Sequence, residues 1–307
     1  MKGISASLND AEEKKLSAIF KDYQVYEFSE SSIKELKESK QLRFDLKGAY
    51  FPDNSFQFEN YELFNKLNAR SKEISSFLET TYFIKGIKLK SGEYFSLSII
   101  NSSISGLFHD ESGEDYHFTP LSYILGKDFS SNKIVFFKSS SYKSETPYTC
   151  GTNSIINKVN RNAKVMWGSG TYCRVVNVAI EGDYEWFSTY GYFTGLSTMA
   201  SIMSNVASLY SAQLGFVVQV SNTSLWAFSA DPYSNGPIEK STAISEVISY
   251  WNTNNGSISR DCAILFSKRS FTGSYIGVAI QNSMCTSNAY GMIANPSRLV
   301  HLLNLKS

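Results

Sequence analysis

Three histidines are the side chains most suited to metal or acid–base chemistry: His109, His117 and His301. A zinc hydrolase site of the H-E-x-x-H type needs two imidazoles one helical turn apart and a general-base glutamate between them. After His301, Leu302 stands where the glutamate would be and Leu305 where the second histidine would be. The other two histidines lack the pattern as well. We therefore expect no catalytic residue, no metal ligand set and no bound zinc in this chain.

A second group of histidines and carboxylates lies in one short stretch. His109-Asp110-Glu111 is followed closely by Asp115-Tyr116-His117. This spacing allows two interpretations, a metal site near a hairpin or the polar residues of a solvated turn. The sequence favours the turn, because short polar clusters commonly separate strands.

The four cysteines limit the thiol chemistry that the chain can perform. Cys150, Cys173, Cys262 and Cys285 allow three complete pairings, and no two of them form a C-x-x-C pair. A thiol-redox centre or a zinc ribbon is therefore not expected.

Charge divides the chain into two parts. Residues 1–165 contain 22 Lys or Arg and 21 Asp or Glu, whereas residues 166–307 contain 7 of each class. We interpret this drop as a domain boundary near residue 165, and a length of 307 residues fits two domains. The net charge of +1 argues against a nucleic-acid or membrane-surface protein, which usually carries a basic patch.

Apolar stretches bear on localisation. None reaches the ~20 uninterrupted residues that a membrane span requires. Met1–Lys15 lacks the apolar core of a secretory signal. From the residues alone, the protein either stays inside the cell or has lost its original start.

Periodicity predicts the elements that would position these residues. The first ~45 residues place apolar side chains at helical spacing, and residues 81–108 alternate as in an antiparallel β-meander. Residues 127–171, rich in Ser, Lys and Asn, are expected to be a linker. Residues 173–294 read as strand, helix, strand, helix and three short strands, which predicts a mixed, mostly parallel twisted sheet with two helices. The expected fold class is α+β or α/β.

The end of the second half resembles the reprolysin-like metzincins, a family of zinc endopeptidases that includes the adamalysins. The family stretch is D-x-A-x-L-[FL]-[ST], then F-x-G, x-G-x-A and x-C. The matching residues are Arg260-Asp261-Cys262-Ala263-Ile264-Leu265-Phe266-Ser267, Phe271-Thr272-Gly273, Ile276-Gly277-Val278-Ala279 and Met284-Cys285.

Other segments resemble the same family in the expected order. Val176–Asp183 is similar to its first strand, and Trp226 followed by Asp231-Pro232-Tyr233 is similar to its W…D-P-Y turn. Gly92–Ile99 and Ser105–Phe108 resemble its β-rich pro-segment. The resemblance therefore implies a β-rich pro-domain over residues 1–165 and the upper subdomain of a zincin fold over residues 166–307.

A substrate-contact site follows from the resemblance. In the family, the strand that matches Ile276, Gly277, Val278 and Ala279 is an edge strand that pairs antiparallel with the substrate backbone. Small side chains here would let a peptide lie alongside by strand addition. These four residues are the predicted contacts for a peptide or protein substrate.

The resemblance also implies a role for one of the cysteines. Cys150, in Thr149-Cys150-Gly151, is a candidate cysteine switch, whose thiolate would occupy a zinc ligand position in the precursor; the alternative is a structural or unpaired cysteine in a loop. The alternative to an enzyme-like reading of residues 261–285 is a pair of ordinary strands with a possible disulfide between Cys262 and Cys285.

The resemblance implies a precursor of a secreted zinc metalloendopeptidase, truncated before its zinc motif and inactive as this chain. Zinc belongs to the complete family, and its three His ligands and Glu base would lie beyond residue 295. One alternative is a non-enzymatic peptide-binding pseudoprotease or adhesin-like module. Another is an inhibitor whose first half blocks an active homologue.

Overall fold

A computed structural model describes residues 4–38, 41–42, 56–57, 59–64, 77, 80–88, 93–143 and 174–294. The chain divides into two compact units. The first lies within residues 1–145 and 190–214, and the second within residues 146–189 and 215–307.

Six helices and fifteen strands are formed by the described residues. The helices are α1 (Asp10–Ile19), α2 (Glu30–Glu38), α3 (Leu121–Leu125), α4 (Tyr184–Tyr190), α5 (Tyr192–Leu214) and α6 (Lys240–Asn254). The strands of the first unit are β1 (Ile4–Ser5), β2 (Gln24–Glu27), β3 (Gln41–Leu42), β4 (Phe56–Gln57), β5 (Glu59–Asn60), β6 (Thr81–Lys88), β7 (Glu93–Ile100), β8 (Ser103–His109), β9 (Asp115–Pro120) and β10 (Lys133–Lys138). Those of the second are β11 (Arg174–Gly182), β12 (Phe216–Leu225), β13 (Cys262–Ser267), β14 (Gly277–Ala279) and β15 (Tyr290–Ala294).

The first unit is built on an eight-stranded antiparallel sheet in the order β1-β2-β10-β9-β8-β7-β6-β5. A two-residue turn, Asn101-Ser102, joins β7 to β8, and its φ angles are +47° and +65°. Two successive positive φ angles are typical of a type I′ hairpin turn, whose twist matches that of the strands it connects. The turn therefore sets the register in which Ile100 lies opposite Ser103.

Alternation along β7 sends its side chains to the two faces of this sheet. Phe95, Leu97 and Ile99 lie in an apolar core that also contains side chains of α2. On the other face, the hydroxyl of Ser96 lies 3.0 Å from that of Ser204 on α5. The sheet is thus covered by helices on both sides.

Part of the predicted linker is instead an interior strand. β10 pairs with β2 on one side and with β9 on the other. Its residues Ile134–Phe137 are buried, as a run of β-branched and aromatic side chains requires in a strand covered on both faces. The linker prediction was wrong here because the polar composition of residues 127–171 as a whole concealed this short run. Residues 144–171 of the predicted linker lie outside the described residues.

The second unit is built on a five-stranded sheet in the order β12-β11-β13-β15-β14. The first four of these strands are parallel, and β14 at the edge is antiparallel to β15. The α+β fold class predicted from the sequence is confirmed, and so is the mixed, mostly parallel sheet.

Helix α6 covers one face of this second sheet. Its buried side chains Ile244, Val247 and Trp251 recur at helical spacing and pack in one core with Leu265 of β13 and Met292 of β15. The sheet and this helix therefore form two packed layers with one core between them, and β14 is the edge strand of the sheet.

Helix α5 packs within the first unit, although the chain on either side of it forms β11 and β12. The order of elements in the sequence predicts this helix in the domain of residues 166–307 instead. Gly215 follows its last turn with a φ of +67°, a left-handed conformation that glycine adopts at least cost. The predicted domain boundary near residue 165 lies outside the described residues. Among the described residues, no helix combines the length and the apolar content that crossing a membrane requires.

Candidate functional site

The candidate site is the rim of the second sheet formed by β14. Its three residues pair with β15 in the register Gly277–Ile293, Val278–Met292 and Ala279–Gly291. Within the described part of the chain, no strand pairs with the other side of β14. An edge of this kind can accept a further strand.

The backbone of β14 alternates in the direction that its hydrogen-bonding groups face. The N–H of Ala294 donates to the carbonyl of Ile276 at 2.9 Å, and the N–H of Ile280 donates to the carbonyl of Tyr290 at 3.2 Å. In an antiparallel pair, residues two apart face the same neighbour, so the N–H and C=O of the intervening Val278 also face β15. The main-chain groups of Gly277 and Ala279 consequently face away from β15.

The side chains around this edge are small or apolar. Val278 is buried in the core beneath α6. A Cβ atom at Gly277 would lie 3.1 Å from the carbonyl oxygen of Met292, so glycine allows the close pairing of β14 with β15. On the face opposite α6, Ala279 and Ile293 are only half-buried. Gly277 is itself buried, so the more exposed backbone of this edge is that of Ala279, which is flanked by an apolar strip.

The connection before β14 is held by a short parallel bridge. The N–H of Ile238 donates to the carbonyl of Ser270, and the N–H of Thr272 donates to the carbonyl of Ile238, both at 3.0 Å. Lys240 places its ammonium 3.9 Å from the centre of the Tyr275 ring. These contacts fix the chain that leads from β13 to the edge strand.

A buried arginine anchors the same connection. Arg269 follows β13 and donates hydrogen bonds to Asp183 (3.2 Å), the carbonyl of Ser234 (2.7 Å) and Glu246 (3.2 Å). The side chains of Arg269 and Asp183 are fully buried. Burial raises the pKa of Asp183 to about 7, although hydrogen bonds from Ser267 and from the Trp186 N–H, and the charge of Arg269, favour the ionised form. The cluster ties the end of β11 to the start of the loop that carries β14.

A second buried carboxylate, Glu181, lies in β11 two residues before Asp183. Glu181 is 1% exposed and accepts hydrogen bonds from the indole N–H of Trp226 (2.6 Å), the hydroxyl of Tyr233 (2.7 Å) and the indole N–H of Trp251 (2.5 Å). Burial raises the pKa of Glu181, while the three donors lower it. Trp226 and Tyr233 lie in the chain after β12, and Trp251 lies on α6, so this carboxylate joins β11 to both segments. Its role is to hold the sheet and helix together behind the candidate site.

The Asp231-Pro232-Tyr233 turn has a structural role as well. The Asp231 carboxylate accepts hydrogen bonds from the N–H of Tyr184 at 2.7 Å and from the N–H of Tyr233 at 3.1 Å. It thereby fixes the turn that directs the Tyr233 hydroxyl toward Glu181.

The predicted pairing of Cys262 with Cys285 is not formed in the structure, where both are free thiols. The thiol of Cys285 lies 3.4 Å from a carboxylate oxygen of Asp261, a weak hydrogen bond. Burial, and next the Asp261 carboxylate, raise the pKa of Cys262 to about 12. The disulfide stays a prediction.

Cys150, the candidate cysteine switch, lies outside the described residues, as does His301. No three His, Cys, Asp or Glu side chains within the described ranges converge as metal ligands. The described residues therefore offer no set that fits a zinc site.

The two described histidines are engaged in separate interactions. His109 and Asp115 are joined by a 2.7 Å contact from Nδ1 to the carboxylate. His117 is buried, stacks on Phe137 and lies 2.9 Å from the Ser139 hydroxyl through Nε2. The solvated-turn interpretation holds for residues 110–114, which join β8 to β9, and is wrong for Asp115 and His117, which are buried in β9.

Sequence reasoning gave no role to the charged residues behind the site, Glu181, Asp183 and Arg269. A signal was present. Glu181 and Asp183 end an apolar strand in a half of the chain that has only 7 acidic residues. A carboxylate is buried only where it has partners, so two acidic residues at the end of an otherwise apolar strand could have identified the pair.

Comparison with known proteins gives weak similarities. No family model matches the chain, and no curated protein matches it. One similar solved structure is the crystal structure of metalloproteinase-II from Bacteroides fragilis, with a TM-score of 0.43 and 9% identity, covering 95% of this chain and 82% of that one. Another is a structure of a chaperone-substrate complex, with a TM-score of 0.33 and 15% identity, covering 41% of this chain. The chain spans only 22% of the length of that second protein. We therefore base the function on this chain's own residues.

Proposed function

We propose that the second unit binds an extended segment of a peptide or unfolded protein by strand addition along β14. The observation that carries the proposal is the outward direction of the N–H and C=O groups of Gly277 and Ala279 at the rim of the sheet. These groups are spaced as in any strand, so a ligand backbone in extended conformation matches them.

The number of groups limits the affinity. Two outward residues provide at most four backbone hydrogen bonds, each with a net value of about 1 kcal/mol. Such a sum corresponds to dissociation constants on the order of millimolar, and contacts with the half-buried Ala279 and Ile293 would strengthen binding about 10-fold. We expect a preference for extended segments with apolar or small side chains on the face opposite α6.

We further propose that this peptide-binding edge is the substrate edge of a protease-type fold related to the reprolysin-like metzincins. Support comes from the ordered sequence resemblance over residues 172–295 together with the placement of its predicted edge strand at the sheet rim. In this proposal the chain's own contribution is to bind the peptide and hold it extended. Secretion, the precursor role of the first half and the cysteine switch at Cys150 belong to the same proposal.

The test removes one outward hydrogen-bond donor. Ala279→Pro lacks the N–H that faces away from β15, so it leaves the pairing with β15 in place, and proline is tolerated on edge strands. Binding of fluorescently labelled, unfolded β-casein is measured by fluorescence anisotropy. We expect Ala279→Pro to weaken binding at least about 5-fold, the loss of one hydrogen bond of about 1 kcal/mol.

Ala279→Ser is the matched control, because it keeps both main-chain groups and nearly the same size. It should bind within about 2-fold of the unmodified chain, a difference of a few tenths of a kcal/mol. Equal binding by the proline and serine variants would refute strand addition at β14. Electrophoresis of the same samples, with and without a chelator, separates the two candidate roles. Intact casein indicates a peptide-binding module, and chelator-sensitive fragments indicate an active protease.

A further inference from the structure

The first unit is assembled from two separate stretches of the chain. Its antiparallel sheet comes from residues before 145, and its helix α5 comes from residues 190–214. Between these stretches the chain forms β11 of the second unit, and after α5 it forms β12. The fold of the first unit therefore depends on a helix that lies in the second half of the sequence.

Hydroxyl pairs join α5 to the sheet of the first unit. The hydroxyl of Ser204 on α5 lies 2.7 Å from the hydroxyl of Tyr61 and 3.0 Å from that of Ser96 on β7. The hydroxyl of Ser201 lies 2.6 Å from that of Ser105 on β8. These serines recur along one side of the helix, and the four serine side chains are at most 6% exposed.

Burial makes this interface costly to open. Without α5, the hydroxyls of Ser96 and Ser105 would lose the partners that the helix supplies. The small serine side chains also let the helix backbone approach the sheet closely, so the contact is extensive along β7. The hydroxyl of Tyr61 donates in addition to the main-chain carbonyl of Ser204 at 3.1 Å. Further down the helix, Lys85 of β6 donates to the hydroxyl of Ser211 at 3.3 Å.

We infer that a cut between residues 143 and 174 does not release the first half of the chain, because α5 continues to complete its sheet from the other fragment. Proteolytic processing there produces a two-chain protein. Release of the first half requires the additional step of withdrawing α5 from β7 and β8. This inference does not depend on peptide binding at β14.

The test uses the full chain with a recognition sequence for a site-specific protease in place of residues 158–164. The purified protein is cut and then examined by size-exclusion chromatography and native mass spectrometry. We expect both fragments in one species with the 34.4 kDa mass of the chain, and their separation only in denaturant. Elution of two separate fragments in native buffer would overturn the inference.

A variant tests whether α5 is the cause. Ser204→Leu adds bulk to the helix–sheet contact, and in the cut protein it should weaken the association of the fragments at least about 10-fold on dilution, since overpacking a close contact is unfavourable. Gln213→Leu is the control, because it places the same leucine side chain at an exposed position of the same helix. Association that is equally tight in all three cut proteins would contradict a role for α5.

Hydrogen exchange on the uncut chain provides a second readout that does not need the protease. Ser204→Leu should increase amide exchange in α5 and in β7 together, because the two elements protect each other. It should leave the exchange of β14 unchanged. Faster exchange confined to α5, or no change in either element, would overturn the inference.

Discussion

Glu181 shows how one residue can fix several segments. Its two oxygens accept three hydrogen bonds, from Trp226, Tyr233 and Trp251. A carboxylate suits this position because it accepts hydrogen bonds at both oxygens without donating any. The chain thereby compensates the cost of burying the group with three donors, two from the loop after β12 and one from α6.

Replacing this carboxylate by an amide should destabilise the protein. In Glu181→Gln, the amide nitrogen would face N–H or O–H donors, leaving at least one buried donor without an acceptor. We expect a loss of about 2 kcal/mol in the free energy of unfolding, measured by urea denaturation. Glu239→Gln, at an exposed position, is the control and should change stability by less than about 0.5 kcal/mol. Equal stability of the two variants would show that the three donors do not depend on the charge.

His117 should make the stability of the protein sensitive to acid. Burial lowers the pKa of His117 to about 3, from an ordinary value of 6.5. As the pH falls below 6.5, the unfolded chain therefore takes up a proton that the folded chain does not, and the folded state loses stability. The contribution of this group is present above pH 6.5 and is lost on the way toward pH 3, by up to about 1.4 kcal/mol per pH unit.

The measurement for His117 compares unfolding free energies at several pH values. His117→Phe keeps an aromatic ring against Phe137 and cannot be protonated. Between pH 6.5 and pH 5 its stability should fall less steeply than that of the unmodified chain. Parallel pH profiles would indicate that His117 is protonated in the folded protein.

Among the elements, the β8–β9 pairing depends on a glycine. Gly106 lies opposite Phe118, and a Cβ atom there would overlap the Phe118 ring and the carbonyl oxygen of Ser96. A backbone oxygen in a paired strand cannot move aside without breaking the ladder. The aromatic ring therefore packs directly over the glycine.

Gly106→Ala should accordingly destabilise the first unit by about 3 kcal/mol, the upper part of the range for overpacking. Gly256→Ala is the matched control, because a Cβ atom there lies 3.4 Å from the nearest atom, the carbonyl oxygen of Asn252. Thermal unfolding of both variants checks the expectation. A melting temperature for Gly106→Ala equal to that of the control would mean that the sheet relaxes without cost.

The elements that sequence predicted best are those with strong local patterns. The helical spacing of Ile244, Val247 and Trp251 identified α6, because one face of that helix meets a single apolar sheet. β10 was missed because its apolar run, Ile134–Phe137, is short and set in polar sequence. The packing of α5 within the first unit could not be predicted, since its serine side gives no hydrophobic signal and its partners lie about 100 residues away.

At the scale of the whole molecule, the two sheets are organised differently. The first is antiparallel and takes α5 from a distant part of the sequence, whereas the second is mostly parallel and ends in a short antiparallel edge. The edge strand was predicted from its resemblance to a protease family. The buried groups behind it, Glu181, Asp183 and Arg269, became recognisable only when the fold brought distant segments together.

Peptide binding at the rim of the second sheet is most directly tested by amide hydrogen exchange at single residues of β14, measured by NMR. In the free protein, the amide of Ala279 should exchange rapidly and that of Val278 slowly, because Val278 faces β15 and the half-buried Ala279 faces away from it. Saturation with a β-casein peptide should slow exchange at Ala279 at least about 10-fold, as new backbone hydrogen bonds protect it. Unchanged exchange at Ala279 in the bound state, or slow exchange there before the peptide is added, would contradict strand addition at this edge.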